Sequence, residues 1–446
     1  MTGLDDEPDQ GPAPAPATGP SRRGHGPRHV DPRRDYLDEV VAQLWPGDRV
    51  SSARSAVGTS FALVPNGERP AAMVPRRPRR AAAAVLRNYK ASADRRTQLR
   101  LQAYSLGARV GLADLLPHRI TIAPPSGDTG SVVTGDIVTY LSDVLGEPVV
   151  VALYTSPPRA NRKPVLQLLT ASGATFGFAK IGTTELSRDL VAAEGRALAR
   201  LSTAAFTRIE VPRLLHHGQW DGFEILVQQA LPRSGQSAMR PADLGAAMVE
   251  LAAVDGLREH PATSNPYLDR LRHRLGQLSH SRSGPALAAA FERTLDTVPA
   301  GETLRFGAWH GDWTPWNMST AGNVARVWDW ERFETGVPLG FDAVHHDLQG
   351  AIVRSQQEPR AAIRETLGRA SRTLAPFDIT PVMAHVTTLL YLLEIGVRYE
   401  HDGQEEAGSK RGRLETWLLP ELTAGIETSE RSCHDPLSTT KPPSVR

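Results

Sequence analysis

The stretch Trp309-His310-Gly311-Asp312-Trp313-Thr314-Pro315-Trp316-Asn317, followed by Val327-Trp328-Asp329-Trp330, holds the residues best suited to chemistry. It offers a carboxylate at Asp312, an amide oxygen five residues on at Asn317, and a second carboxylate at Asp329. Magnesium takes hard oxygen ligands and usually shares them with substrate phosphates. Phosphoryl transfer needs such a metal, plus a carboxylate that orients an incoming hydroxyl and accepts its proton. One acid for the hydroxyl, with an amide and another acid for the metal, is that division of labour. A lone His-Gly-Asp says little, because Gly-Asp pairs mostly sit in plain turns. The spacing Asp-x4-Asn, then an apolar strand ending in Asp, is much harder to reach by accident. Gly311 permits a tight backbone and Pro315 stiffens the loop. Gly322-Asn323 predicts a hairpin turn into the strand Val324 to Trp328.

A lysine and a glutamate upstream must be positioned against that stretch. Three strands are expected at Pro148 to Thr155, Pro164 to Thr170 and Thr175 to Ile181. Lys180 stands amid apolar residues in the third, where an unpaired ammonium would be costly to desolvate. A helix follows from Thr184, its buried stripe formed by Leu186, Leu190, Ala193, Ala197, Leu198 and Leu201. Glu194 falls four residues after Leu190 and four before Leu198, so it lies on that inward face. An acid on an apolar helix face, just after a lysine in an apolar strand, predicts an ion pair. Between the first two strands lies Ser156-Pro157-Pro158-Arg159-Ala160-Asn161-Arg162-Lys163, a hairpin without glycine. Its Arg159, Arg162 and Lys163 either supply charge to phosphate oxygens or form a solvated tip.

The rest of the chain divides by composition. Residues 1–35 are rich in Pro, Gly, Arg and Asp and cannot bury enough apolar surface to offset their ordering entropy, so a disordered tail is expected. From Tyr36, apolar residues at helical spacing run to Leu44 and stop at Pro46-Gly47. Strands are expected at Ser60 to Gly67 and Ala71 to Pro75, and a helix from about Arg76 through Leu106 carrying Arg87, Lys90, Arg95, Arg96 and Arg100. That basic run reads as a patch for phosphate or nucleic acid, or as a solvated helix face. The second is favoured, because no aromatic series interleaves the arginines to stack bases. Residues 36–132 thus form an accessory module without an assigned task. The sequence Pro124 to Gly130 marks a linker. A helix at Ile137 to Leu145, the three strands and two more at Val211 to His216 and Phe223 to Gln229 make up residues 133–231. Residues 232–427 read as all-helical around the Asp312 loop, and residues 428–446 as a second disordered tail. Strands followed by helices give an α+β, two-lobed plan.

Composition excludes several other classes. The 446 residues are 40% hydrophobic, enough for a sizeable core, and no run approaches the ~20 apolar residues of a membrane span. Net charge is only +2, so a globally basic nucleic-acid binder is not indicated. The acidic start, Met1 to Glu7, is the reverse of a secretory signal. Cys433 is the single cysteine, which rules out an intrachain disulfide and suits a cytoplasmic setting.

His-Gly-Asp-Trp-Thr-Pro-Trp-Asn followed by Val-Trp-Asp-Trp-Glu resembles the motif of the aminoglycoside phosphotransferase and choline kinase family, whose fold is related to protein kinases. The protein-kinase signature has the same Asp-to-Asn spacing. The resemblance covers about residues 133–427. It implies a protein-kinase-like fold with a small antiparallel-sheet lobe and a helical lobe, and an ATP- and Mg-dependent transfer to a hydroxyl of a small molecule such as an aminoglycoside, sugar or choline. It implies that Asp312 is the catalytic base, that Asn317 and Asp329 hold magnesium, and that Lys180, held by Glu194, grips the phosphates. His310 would prop the loop and Asp342 would brace it. Gln229-Ala230-Leu231-Pro232 would be the hinge, where Gln229 and Leu231 meet adenine. Trp330-Glu331 stands where protein kinases have Phe-Gly, so a swinging activation switch is not expected. The alternative is an inactive nucleotide-binding scaffold that uses residues 36–132 for partner contacts.

Two further features leave readings open. Glu394, Glu400, Asp402, Glu405 and Glu406 form either an acidic pocket for a cationic acceptor or a solvated face. Trp309, Trp313 and Trp316 stack on an acceptor or pack in the core. His345-His346-Asp347 does not read as a metal cluster, since adjacent residues on a helix do not face one point.

Overall fold

Period-two alternation builds the smaller lobe. The computed structural model of the protein describes residues 32–52, 58–88, 106–107, 118–124, 135–156, 159–232 and 239–434. Its first strands are β1 (Arg49–Ser51), β2 (Thr59–Val64), β3 (Ala72–Pro75), β4 (Arg119–Ala123), β5 (Val150–Tyr154), β6 (Val165–Leu169), β7 (Thr175–Gly182), β8 (Ile209–Glu210), β9 (Leu214–Trp220) and β10 (Phe223–Gln229). All but β8 join one antiparallel sheet in the order β1-β4-β2-β3-β5-β6-β7-β10-β9. The accessory segment therefore supplies four strands that continue the sheet, with Ala72 opposite Tyr154 and Met73 opposite Leu153 at the seam. Side chains of β5 leave alternately to the two faces. Val151 and Leu153 join a cluster with Leu37, Val40, Val41 and Leu44 of helix α1 (Pro32–Leu44), while Ala152 and Tyr154 join one with Ala81 to Leu86 of α2 (Arg79–Asn88).

α1 begins at Pro32, inside the segment expected to be a tail. The four apolar residues of its stripe are buried, at roughly 1.5–3 kcal/mol each, which is what orders it. α2 is described only to Asn88, so Lys90, Arg95, Arg96 and Arg100 of the basic run lie outside the described residues. Helix α3 (Ile137–Leu145) starts on an Asp136 cap and ends at Gly146 with φ 72°, as its sequence predicts. Strand β9 runs to Trp220 and only Asp221-Gly222 turns, so Gly218 to Trp220 are strand rather than loop.

Lys180 follows from the same alternation. Its neighbours Ala179 and Ile181 point to the α1 side, so Lys180 points to the other face, where α4 (Glu185–Leu201) packs on β7 and β10. Thr184 and Ser187 cap α4 reciprocally.

The larger lobe is built on α5 (Pro241–Ala252), α6 (Pro266–Gln277), α7 (Gly284–Asp296), α8 (Phe341–Gln349), α9 (Pro359–Leu374), α10 (Pro381–His401) and α11 (Leu414–His434). It is not all-helical. Strands β11 (Arg258–Pro261), β12 (Thr303–Trp309) and β15 (Glu334–Pro338) form one small sheet. The hairpin β13 (Met318–Ala321) and β14 (Val324–Val327) forms another with β8. β12 feeds directly into His310, and its pairing with β15 returns the chain to the start of α8 beside that loop. α11 runs to His434, past the boundary expected at 427, and beyond that boundary Glu430 pairs with Arg293 of α7. Among the described residues no single helix is long and apolar enough to cross a membrane. α9 with its short extension and α10, bent by 108°, pass that test only as a pair.

Candidate active site

The loop after β12 is held from behind. Asp342, at the start of α8, accepts the backbone N–H groups of His310 (2.7 Å) and Gly311 (3.1 Å). Burial pushes its carboxyl up to about 7, against the pull of those two donors. Gly311 has φ 80°, and a Cβ there would stand 2.3 Å from the Arg332 carbonyl oxygen, so only glycine fits. Arg398 of α10 donates to the Gly311 carbonyl at 2.6 Å and stacks over Trp309.

His310 is fully buried. Its Nε2 bonds the Trp328 carbonyl (3.2 Å) and its Nδ1 accepts the Asp312 N–H (3.1 Å), a network that assigns a neutral ring protonated on Nε2. Burial lowers its pKa to about 4. The unfolded imidazole titrates near 6.5, so between about 6.5 and 4 the unfolded chain binds more protons and stability falls as pH falls. Fully expressed, that is about 3 kcal/mol from His310. His346, also lowered to about 4 by burial, acts in the same direction, while Asp342 acts in the opposite one. The free energy of unfolding should therefore drop from pH 6.5 to 4, less steeply in His310→Asn. Denaturant titrations giving a flat or rising stability in that window contradict this.

Asp312 is gripped at both oxygens. Asn317 Nδ2 donates to Oδ2 at 2.8 Å and to the Asp312 carbonyl at 3.0 Å. His345 Nε2 lies 2.9 Å from Oδ1, and His345 Nδ1 lies 2.8 Å from the Tyr391 hydroxyl. Burial pushes the Tyr391 phenol well above its usual range and lowers the His345 pKa, though the bond to Asp312 opposes the second shift. The chain of donors therefore runs from the Tyr391 O–H to His345, and from its Nε2–H to Asp312. Sequence reasoning missed both residues. The available signal was that Asp342 and His345 lie three apart on one helix, hence on one face. His345, His346 and Asp347 diverge to Asp312, Trp313 and Arg369, so they converge on no metal.

With its Nδ2 occupied, Asn317 presents Oδ1, buried and without a hydrogen-bond partner among the described residues. An unsatisfied buried acceptor costs about 1–3 kcal/mol. Asp329, with φ 76°, adds a buried carboxylate. It forms an ion pair with Lys180, whose Nζ also lies 2.7 and 2.6 Å from the two oxygens of Glu194. Burial opposes charge on all three groups. Asp329 and Glu194 overcome it at Lys180, holding its ammonium above the ordinary value. Lys180 overcomes it at Asp329, whose carboxyl sits well below its usual range, while burial prevails at Glu194 and pushes its carboxyl up. Glu331 adds a third acid, ion-paired with Lys163. Glu194, Asp329 and Glu331 bring oxygens within 4.8 Å of one another. Two ammoniums against three carboxylates leave an excess negative charge. With Glu194 and Glu331 each engaged by a lysine, Asp329 and the free Asn317 oxygen are the donors that fit a hard divalent cation.

A cleft of about 570 Å³, counted out to its mouth, opens between the lobes. Lys180 and Asp329 line it with Arg159, Lys163, Gln229 and Leu231. At the end of β10, the N–H groups of Gln229 and Ala230 are taken by the Arg213 and Phe176 carbonyls, whereas that of Leu231 makes no hydrogen bond among the described residues. Arg162 does not reach the cleft lining; its guanidinium lies 3.4 Å over the Tyr36 ring of α1, a pairing that residue spacing could not foretell.

The acidic pocket does not form. Glu394 is buried with Arg274 and Tyr267, Glu400 accepts the Ser283 N–H, Asp402 pairs with Arg332, and Glu405 pairs with Arg282. Trp309 and Trp313 are core residues, and Trp316 is half-buried.

The model of the phosphotransferase enzyme family matches residues 170–384. No curated protein matches the chain. Among solved structures, a thermostable aminoglycoside phosphotransferase APH(4)-Ia in a ternary complex with ADP and hygromycin B is similar at 12% identity and a TM-score of 0.44, over 66% of this chain and 98% of that one. The GDP complex of aminoglycoside 2'-phosphotransferase-IIIa is similar at 12% identity and TM-score 0.37, over 61% and 90% of the two chains. Amicoumacin kinase hAmiN, bound to AMP-PNP and Ca2+, is similar at 11% identity and TM-score 0.39, over 63% and 88%. Residues 170–384, the part that contains Lys180, Glu194 and the whole loop system from His310 to His345, are thus similar to the phosphotransferase enzyme family.

Proposed function

We propose that the chain is an ATP- and Mg-dependent phosphotransferase that moves the γ-phosphoryl of ATP to a hydroxyl of a small molecule. The observation that carries this is Lys180, bonded at once to Glu194 of α4 and to Asp329 after the Asp312 loop. One side chain thereby ties the smaller lobe to the residues best suited to hold a metal.

In this reading Asp312 orients the acceptor hydroxyl and takes its proton, its carboxylate aimed by Asn317 and His345. Asn317 and Asp329 hold magnesium, which when bound neutralises charge on the phosphate oxygens. Lys180, positioned by Glu194, grips the phosphates, and Lys163 and Arg159 add positive charge from the hairpin. The Leu231 N–H is the hinge donor for adenine, with Gln229 at the rim. Residues 133–231 and 232–427 act as the two lobes, and residues 36–132 widen the smaller one. A cytoplasmic setting, where ATP and reduced thiols are found, accords with this reading.

The acceptor is a hydroxylated small molecule. Glu394, Asp402 and Glu405 pair with arginines and Glu400 accepts a backbone N–H, so these four acids are not free to receive a polycationic acceptor. The deciding experiment screens hydroxylated metabolites and antibiotics for ATP-dependent phosphorylation, with Asp312→Asn as the blank. Acceptor-dependent ATP consumption by the wild type alone is the expected result. No consumption, together with no shift in unfolding temperature on adding ATP and magnesium, would overturn the assignment.

A further inference from the structure

We propose that Glu331 is the positioning residue for a second phosphate-gripping lysine, Lys163, and that through it residues 159–163 of the β5–β6 connection are held against the nucleotide's phosphates. The inference deepens the phosphotransferase reading and rests on it.

The hairpin has no glycine, so its backbone lacks the freedom that lets glycine-rich loops approach phosphates closely. Recognition from this side must then come from side-chain charge. Lys163 is buried, 3% exposed, at the end of the hairpin nearest β6, and lines the same cleft as Lys180 and Asp329. Val165, two residues on, is the β6 partner of Lys180, so Lys163 enters the cleft just ahead of the strand that pairs with that of Lys180. Each ends on a glutamate: Lys180 on Glu194, Lys163 on Glu331.

Glu331 comes from the opposite lobe, two residues past Asp329, and is only 7% exposed. Asn161 of the hairpin also donates to it, at 3.4 Å, so one carboxylate restrains two side chains of the hairpin. A buried ion pair is weak evidence for stability, because well-packed apolar residues of similar volume often serve as well or better. Placed at the wall of a nucleotide cleft, the pair instead fixes an ammonium where phosphate oxygens arrive. Its spare N–H donors remain for them, since an ammonium has three. Glu331 thus does for the hairpin what Glu194 does for β7.

Calorimetry at saturating magnesium tests this with ATP and with adenosine, which has no phosphates. Glu331→Gln and Lys163→Met should each weaken ATP binding about tenfold and leave adenosine affinity within about twofold, and the double variant should lose no more than the worse single one, as expected of residues acting as a unit. Glu331→Asp, which keeps the charge on a shorter arm, should show a smaller loss of the same kind and remains informative should Glu331→Gln fold poorly. Unchanged ATP affinity in Glu331→Gln, or losses that multiply in the double variant, would overturn the proposal. So would an ATP affinity in Glu331→Gln that recovers when magnesium is raised well above the level that saturates the wild type, since that marks a metal ligand. Lys180→Met separates the two levels. If it weakens ATP binding while Glu331→Gln does not, only the hairpin latch falls; a wild type that binds no ATP takes both readings down.

Discussion

Asp312→Ala should lower turnover at least ~10²-fold while leaving nucleotide affinity nearly unchanged, the low end of what a general base contributes. The expectation follows from how the side chain is held. Its two oxygens take separate donors, Asn317 Nδ2 and His345 Nε2, so its rotamer is fixed, yet 35% of the side chain stays exposed toward solvent. A carboxylate locked in direction but open at its end is suited to receive a proton from a bound hydroxyl. In the proposed reading the nucleotide lies elsewhere, along the cleft lined by Lys180 and Asp329. His345→Gln, which keeps one donor near Asp312 but loses the Tyr391 link, should cost less, about tenfold in kcat with the KM for ATP unchanged. Steady-state kinetics with saturating ATP measure both. Full turnover in Asp312→Ala would remove that residue from the mechanism.

Asp329→Asn should weaken magnesium-dependent ATP binding by about 10²-fold, since even outer partners of a metal site typically contribute 10- to 100-fold. Metal-free nucleotide binding should change little, because Lys180 keeps Glu194. The substitution preserves shape while removing the charge that Lys180 holds in its ionised form. Fold should survive, as the cluster still balances two ammoniums with the carboxylates of Glu194 and Glu331. Titrations of ATP with and without magnesium give the answer directly. Identical magnesium dependence in the variant and wild type would contradict the metal role.

Patterns with a short period were legible from the residues alone. Alternation set Lys180 apart from Ala179 and Ile181, helical spacing put Glu194 on the inward face, and Thr184 marked where that helix begins. The Asp-to-Asn spacing likewise announced the loop, because Asn317 reaches back to Asp312 within one turn of chain. Each of these depends on backbone geometry over a few residues, which neighbouring side chains specify.

Partnerships between distant residues were decided only by tertiary structure. Arg162 could have met a phosphate, but the ordering of α1 put the Tyr36 ring beneath it. The acids near the end of α10 read as either a pocket or a solvated face until folding set arginines and a backbone N–H against them. His345 became a partner of Asp312, 33 residues away, only once β12 paired with β15 and returned α8 to the loop. Lys163 found Glu331 across 168 residues by closure of one lobe on the other. Residue type limits what a side chain can bond, but which group arrives is fixed by packing and loop closure over the whole chain.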